Sequence, residues 1–282
     1  MPLVLVPTPL GNLRDITLRA LDALGACDLV VAEDTRVALR LLSALGIMGK
    51  PIWSYREQNA ATATPGILAR ARTERIVLVT DAGMPGISDP GRELVAAARA
   101  QGVGIEALPG PTAFVCAAVL SGFDLTGMSF EGFPPRTARR RLACFAAALE
   151  RGRTSLWYEA PTRALATLAT IGELAPEARV FLARELTKRF EQQLLGTAAE
   201  VAAALERPVR GEIAFALEAP ARHQGGAERA RDGADPAAML EDAIGAAVAA
   251  GEAPSALAKR LARAGLGTRA AIYDRIAARR RG

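Results

Sequence analysis

Imidazole is almost absent from this chain of 282 residues: its one histidine, His223, sits in a polar, Gly-rich stretch, ARHQGGAERARDGADP, that reads as a linker. That scarcity excludes a Ser-His-Asp triad and any metal site built from several histidines. Cysteine is scarce as well. Cys27, Cys116 and Cys144 lie far apart with no C-x-x-C pair, which speaks against a zinc ribbon or a disulfide framework and leaves them as small, reduced side chains. Aromatic residues make up only 5% of the chain, and lysine is nearly missing: Lys50, Lys188 and Lys259 stand against 32 arginines among 35 cations. Long apolar runs are missing too. The N-terminal MPLVLVPTPLGNL is broken by Pro7 and Pro9 with no basic region before it, so it reads as a buried strand entering a turn. A cytoplasmic protein with no membrane partner and no metal is expected.

What is present points to folded α/β structure. Half the residues are apolar and 23% are charged, with Gly 26 and Pro 17 near average, so disordered, fibrous and linker-dominated chains are excluded. Short β-rich runs (Leu3–Val6, Leu29–Ala32, Ile52–Ser54, Ile76–Thr80, Val103–Leu108) alternate with helical patterns (Leu13–Leu24, Val37–Leu45, Pro65–Ala71, Glu93–Ala100). Continuously apolar strands separated by helices predict a mostly parallel sheet covered on both faces, with ligands gathering beyond the carboxyl ends of the strands. After a helix at Ala113–Leu120, turn-forming residues at Gly122–Gly127 mark a boundary. Strands at Ser155–Tyr158, Val180–Ala183 and Glu212–Leu217, with helices around Arg163–Leu174 and Ala198–Leu205, make a second half. The expected organisation is an N-terminal α/β domain carrying the ligand loops (1–122), a second α/β domain completing a cleft (123–219), a linker (220–235) and a basic helical extension (236–282).

Charge is unevenly spread. Between Pro254 and Gly282 stand Lys259, Arg260, Arg263, Arg269, Arg275, Arg279, Arg280 and Arg281 against Asp274 alone, a net +7 in a chain of +5. A helix, the turn Gly265-Leu266-Gly267 and a second helix from about Thr268 would gather these cations on a hairpin. Such a concentration favours a polyanion through counterion release, with Lys259, Arg260, Arg263 and Arg269 as candidate phosphate contacts. A solvated helical face with an Arg tail explains the same charges, and charge alone does not choose.

Three loops stand out. Pro7-Thr8-Pro9-Leu10-Gly11-Asn12 follows the first strand; Asp81-Ala82-Gly83-Met84-Pro85-Gly86-Ile87-Ser88-Asp89-Pro90-Gly91 follows the fourth; Leu108-Pro109-Gly110-Pro111-Thr112 follows the fifth. None is a G-x-G-x-x-G or Walker A loop, and the first alone reads as a structural turn. Together, stiff Gly/Pro-built turns on one sheet edge outline a pocket. Asp34 or Thr35 in AEDTR reads as a helix cap. Lys188 in ARELTK, beside Glu185, is a rare amine that could change protonation if desolvated; an ordinary ion pair accounts for it as well.

The segments PTPLGNLRDIT (Pro7–Thr17), AEDTR (Ala32–Arg36), DAGMPGISDPG (Asp81–Gly91), LPGPT (Leu108–Thr112), YEAPTR (Tyr158–Arg163), ARELTK (Ala183–Lys188) and Gly211-Glu212 occur in an order that resembles the ribosomal RNA small subunit methyltransferase I family, a branch of the tetrapyrrole methylase superfamily. The resemblance runs from Leu3 to about Glu218. It implies a two-domain, tetrapyrrole-methylase-like α/β fold, here with a small C-terminal helical extension, and normally a homodimer. It implies binding of S-adenosylmethionine in the interdomain cleft and 2′-O-methylation of a cytidine in the decoding region of small-subunit ribosomal RNA, free or in the assembled subunit. The implied cofactor contacts are Pro9, Gly11, Asn12, Asp81, Ala82, Gly83, Pro85, Ser88, Asp89, Pro90, Gly110, Pro111, Thr112, Ala160 and Pro161. Family members commonly have histidines where this chain has Arg56, Gln58 and Thr162, and Thr where Met84 stands, so a mechanism needing an imidazole base is unsupported. The clustering of charged groups at strand ends nominates Asp34, Glu185 and Lys188 as catalytic, with Arg36 or Arg184 gripping a flanking phosphate. Two other readings share the fold: a methylase of a corrin precursor, which has no need of a +7 extension, and a non-catalytic RNA-binding protein, which would not bind the cofactor.

Overall fold

The structure, a computed structural model, describes residues 2–219, Leu240, Ile244, 254–263 and 268–279. The chain divides into two compact units, 1–220 and 221–282.

In the first unit, strands β1 (Leu3–Leu5), β2 (Leu29–Ala32), β3 (Ile52–Ser54), β4 (Ile76–Val79) and β5 (Ile105–Ala107) form a sheet in the order β3-β2-β4-β1-β5. Every pairing in it is parallel. Strand alternation explains why the runs are apolar throughout. Leu3, Leu5, Leu29, Val31, Ile76 and Leu78 pack on one side with helices α3 (Ala60–Ala71) and α4 (Arg92–Ala100). Val4, Val30, Ala32, Val77 and Val79 pack on the other with α1 (Leu18–Ala26) and α2 (Thr35–Ala44). Both faces are therefore dry, as a parallel sheet requires. The order also places β4, β1 and β5 side by side, so the three Gly/Pro loops leave one edge as neighbours. Between β1 and β4 the winding reverses, which opens a crevice there.

The second sheet runs β6-β7-β10-β8-β9, from β6 (Ser129–Phe130), β7 (Ser155–Glu159), β10 (Ile213–Leu217), β8 (Arg179–Arg184) and β9 (Gln192–Thr197). Only the β6–β7 pair is parallel. One face packs Trp157, Val180, Leu182 and Phe215 against α6 (Ala138–Glu150), α7 (Ala164–Leu174) and α8 (Ala198–Ala204). The opposite face packs Leu156, Phe181, Ala183, Ala214 and Ala216 against α5 (Ala113–Ser121). Thus α5 covers the second sheet although it precedes Gly122, and by packing the seam between the halves lies at Leu108–Thr112, not at Gly122–Gly127. Gly122 instead ends α5 in a left-handed conformation, φ +66°.

Other differences from the sequence reading have local causes. The helix expected over Leu13–Leu24 is interrupted: Thr17 caps α1 by accepting the Ala20 N–H at 3.1 Å, leaving Leu13–Asp15 as a separate 3₁₀ turn capped by Asn12. Helix α3 begins at Ala60 and tolerates Pro65 inside it. Strands β6 and β9 and helix α6 were not anticipated; β9, an edge strand, alternates intermediate and exposed positions and lacks an apolar run.

In the second unit, α9 (Pro254–Arg263) and α10 (Arg269–Arg279) share an apolar cluster with Leu240 and Ile244, built on Leu257, Ala258, Leu261, Ile272 and Ile276. Thr268 caps α10, accepting the Ala271 N–H at 3.4 Å. The expected linker 220–235, His223, the turn 265–267 and the side chains of Lys259, Arg260, Arg263 and Arg269 lie outside the described residues. Among the described residues, no helix is long and apolar enough to cross a membrane.

A Cβ at Gly110 would lie 2.7 Å from Pro7 Cβ and 2.9 Å from its Cγ, whereas a Cβ at Gly25 on α1 meets nothing within 4 Å. Gly110→Ala should therefore destabilise by about 1–3 kcal/mol through overpacking against a rigid ring. Gly25→Ala should stabilise by about 0.5–1 kcal/mol by restricting the unfolded chain. Urea midpoints moving in opposite directions for the two variants is the expected outcome.

Candidate active site in the cleft between the two sheets

The three loops are tied to one another. Thr8 and Gly83 exchange backbone hydrogen bonds of 3.0 Å each, and the Thr8 hydroxyl donates to the Thr80 carbonyl at 3.2 Å. Gly83 adopts φ +81° with Leu10 and the Pro111 carbonyl against it, and Gly110 lies on Pro7. The loop after β4 turns through positive φ at Gly83, Gly86, Ser88 and Gly91. Ser88, Glu185 and Thr187 are the non-glycine residues with positive φ among the described ones. All three sit in cleft loops, where strain of this kind collects when the surroundings impose it.

Two cavities meet at this edge. The first, about 330 Å³, is walled by Leu10, Met84, Ile87, Phe133, Tyr158 and Leu186. Of the anticipated cofactor contacts, Ala82, Gly83, Ser88, Asp89, Thr112, Ala160 and Pro161 line it. The second, about 830 Å³, is polar, with Glu33, Asp34, Arg56, Asn59, Asp81 and Pro90 in its wall. Ser88 and Asp89 line both. Pro9, Gly11, Asn12, Pro85, Gly110 and Pro111 line neither.

Carboxylates dominate the junction. Burial pushes Asp89 up to about 7, helped by the negative charges of Glu33, Asp81 and Glu212. Burial likewise raises Glu33 and Asp81, each reinforced by a neighbouring carboxylate. Tyr158, pushed up to about 12 mainly by burial, accepts the Phe114 N–H at 3.3 Å. Glu159 is buried and fixed by the Ala160 N–H at 2.7 Å and by Arg163, which sets the Ala160-Pro161 turn in the cavity wall.

Across the cleft, Lys188 bridges two strands of the second sheet. Its Nζ lies 2.9 Å from Glu185 Oε1 and 3.0 Å from Glu212 Oε2. Burial lowers the lysine pKa, but the two carboxylates outweigh that and raise it overall, so the amine is held as an ammonium. For Glu185, burial is overcome by Lys188 and the Glu212 N–H, and the carboxyl falls below its ordinary value. Such a lysine is an electrostatic fixture and a poor proton acceptor. It also joins the halves: a Cβ at Gly11 would lie 2.1 Å from Lys188 Cγ, and the Asn12 N–H donates to Thr187 Oγ1 at 3.2 Å.

The remaining nominated residues are held by ion pairs of their own. Asp34 caps α2 and accepts the Arg36 N–H at 2.8 Å and its guanidinium at 2.6 and 3.1 Å. Arg36 thereby holds the Asp34 carboxyl far below the usual range. Arg184 departs from the expected phosphate grip: it shares the strand face of Val180 and Leu182, opposite Ala183, which lines the first cavity. Its guanidinium, 7% exposed, pairs with Glu206 and with Gln192 at 3.2 Å. Sequence reasoning overlooked Phe133, and quoted Glu33, Arg56 and Glu212 without giving them a role in the site. Among the described residues, no group of three or more His, Cys, Asp or Glu could hold a metal ion.

Comparison with known proteins gives consistent results. Residues 2–202 match the family described as tetrapyrrole (corrin/porphyrin) methylases. A protein of Thermotoga maritima named ribosomal RNA small subunit methyltransferase I is 39% identical over 218 residues, covering 76% of this chain and 97% of its own length. The protein of that name from Neisseria meningitidis serogroup B is 40% identical over 237 residues, 82% of this chain and 81% of its own. That from Bacillus subtilis is 38% identical over 218 residues, 77% and 74% of the two chains. A crystal structure of diphthine synthase shares the fold, with a TM-score of 0.62 at 14% identity over 77% of this chain and 90% of that one.

The state of Asp89 is measurable. Between about pH 4 and 7 its carboxyl keeps, in the folded protein, a proton that the unfolded chain, with the ordinary value of 3.8, has released. Charging it therefore penalises the native state progressively as pH rises from about 4 to 7, and the penalty is complete above that range. Asp89→Asn should raise Tm at about pH 8, with the gain shrinking towards pH 4. A Tm difference independent of pH would contradict the raised pKa.

Proposed function

The chain belongs to the tetrapyrrole methylase family, in the branch of the ribosomal RNA small subunit methyltransferase I proteins, and from that premise we propose that it methylates the ribose 2′-hydroxyl of a cytidine in the decoding region of small-subunit ribosomal RNA. The cofactor is S-adenosylmethionine. One observation carries the assignment of its seat: Asp89 and Glu212 line the first cavity, and no lysine or arginine does. Carboxylates on an otherwise apolar wall attract a sulfonium and an ammonium and repel a phosphate-bearing dinucleotide. The donor set thus fits the group, with the backbone of Ala82 and Gly83 and the Ala160-Pro161 turn as further contacts. Bound there, the cofactor supplies an electrophilic methyl group.

The acceptor nucleotide occupies the second cavity, and the ribose hydroxyl is presented at Ser88–Asp89, where the cavities meet. Asp89 takes the hydroxyl proton; a base with pKa near 7 suits work at neutral pH. Lys188, fixed by Glu185 and Glu212, supplies positive charge at the cleft wall, and Asp34 with Arg36 organises the start of α2. Approximation of the reacting atoms in a site closed to water supplies much of the acceleration, up to about 7–11 kcal/mol in favourable cases. The C-terminal cations, Lys259, Arg260, Arg263 and Arg269, add phosphate contacts. Outward-facing Val115, Val119 and Leu120 on α5, 43%, 68% and 44% exposed, support a homodimer joined there.

Incubation with labelled cofactor and unmodified small ribosomal subunits, followed by nuclease digestion and mass spectrometry, should place the label on one ribose. Label on a base, or transfer to a corrin precursor with none to RNA, would refute the assignment. Asp89→Asn should lower single-turnover methylation by about 10²–10⁴-fold, the usual worth of a positioned base. Its cofactor affinity should stay within a few-fold of the parent's. Alanine at Lys188, Glu185 and Asp34 should each lower the single-turnover rate. Val119→Asp should shift the sedimentation of the protein from dimer to monomer.

A further inference from the structure

The walls of the two cavities raise a difficulty for the substrate just assigned. Glu33, Asp81, Asp89 and Glu212 present negative charge to a polyanion approaching the cleft. Some surface beside them must attract phosphates strongly enough to bring a ribose to Asp89.

The segment Phe133-Pro134-Pro135-Arg136-Thr137-Ala138-Arg139-Arg140-Arg141 borders that junction. It follows Gly132, φ +71°, whose added Cβ would lie 3.6 Å from Ser88 Oγ, the residue common to both cavities. Phe133 lines the first cavity yet is 52% exposed, and its ring meets Tyr158 edge-on at 5.7 Å. From Phe133 to Leu149 the chain carries four arginines and no acid. Arg141 is consumed by the fold: it is buried, donates to Thr170 Oγ1 at 3.1 Å and reaches the Arg136 carbonyl at 3.4 Å. Arg136, Arg139 and Arg140 are exposed, with no carboxylate in ion-pair range among the described residues. The adjacent acids are already neutralised, Glu131 by Arg151 and Glu159 by Arg163.

The segment is held rigidly. Arg163 Nη1 donates to the Pro134 carbonyl at 3.2 Å, and Arg141 holds the Arg136 carbonyl. It also breaks a folding rule. Three arginines crowd the first turn of α6, where the helix field disfavours cations, and neither an acid nor a side-chain cap relieves them. Violations of this sort are retained where a ligand compensates.

We infer that Phe133, Arg136, Arg139 and Arg140 form the RNA-docking surface of the cleft, the arginines gripping phosphates flanking the target nucleotide and the Phe133 ring stacking on an unpaired base. This rests on the ribosomal RNA reading above. An exposed ring beside unpaired guanidinium groups is the arrangement that single-stranded RNA uses, because every base has a π-face and every linkage a negative charge. A folded protein partner would find little apolar surface in the segment beyond Phe133.

The test uses the full-length protein and the triple variant Arg136→Gln, Arg139→Gln, Arg140→Gln, with a short decoding-region RNA and with assembled subunits. Anisotropy titrations across salt should show the slope of log K against log salt reduced by about 2, from about 0.7 per lost contact on single strands. Affinity at low salt should fall at least about tenfold. Tm should stay unchanged or rise, since repulsion in the first helical turn is relieved, and calorimetric cofactor affinity should be unaltered; a merely structural role would lower both. Phe133→Ala, assayed at saturating cofactor, should weaken RNA binding by about 5–150-fold, the range for one base–aromatic stack. A triple variant with parental affinity and salt slope, in a preparation whose parent methylates subunits, would overturn the inference while sparing the enzyme assignment. Loss of binding to assembled subunits alone, with free RNA bound normally, would overturn it in favour of a ribosomal protein contact. A parent protein that neither binds nor methylates ribosomal RNA would remove both.

Discussion

The paired hydrogen bonds between Thr8 and Gly83 fix the relation on which the site depends. These residues are far apart in sequence, but β4 and β1 are neighbours in the sheet, so their loops emerge together. The exchange converts two exposed connections into one rigid ledge, and Pro111 and Gly110 extend it from the next strand. Backbone in positive φ at Gly83, Gly86, Ser88 and Gly91 is sustained only because a doubly covered sheet anchors both ends of the loop. Pre-organisation of this kind lowers the ordering cost when a ligand binds.

Charge is divided by location. The cavities concentrate carboxylates, and burial with mutual repulsion lifts Asp89, Glu33 and Asp81 together. That suits a cationic methyl donor and a hydroxyl that must lose a proton, and it opposes the phosphates attached to that hydroxyl. Arginines outside the cavities resolve the conflict without spoiling the proton chemistry within. The division also explains why net charge is a poor guide here. The C-terminal cations dominate the sum, while the local excess along α6 is hidden in a first unit whose charges nearly cancel.

The first sheet was legible because strands buried on both faces leave unbroken apolar runs, and Gly/Pro punctuation marked the loops between them. The second half was harder. Strand β9 lies at an edge and lacks a dry face, and α6 opens with arginines that obscure its period. Helix α5, apolar nearly all round, gave no sign of which sheet it covers. At the site, loop residues were recognisable from conformational demand, whereas partners were not. Arg184 reads as a strand-end cation, but its face is set by the alternation that buries Val180 and Leu182, which sends it to Glu206 and away from the cleft. Phe133, three residues after Phe130, gives no sign of its role in sequence and acquires meaning only when Gly132 abuts Ser88.

Lys188 shows how composition and geometry answer one another. A chain that writes nearly all of its cations as arginine keeps an amine where the side-chain stem must lie flat on Gly11 and its tip must serve Glu185 and Glu212 at 2.9 and 3.0 Å. A compact ammonium with three rotatable donors can satisfy carboxylates arriving from different strands; a planar guanidinium fork is built for one carboxylate in its own plane. The glycine and the lysine are therefore a matched pair across the cleft. The space beside Gly11 exists because no Cβ fills it, and the aliphatic stem occupies that space. The charge beyond the stem ties Glu212, in the cavity wall, to the turn that carries Glu185. Position in the fold, more than basicity, accounts for a lysine here.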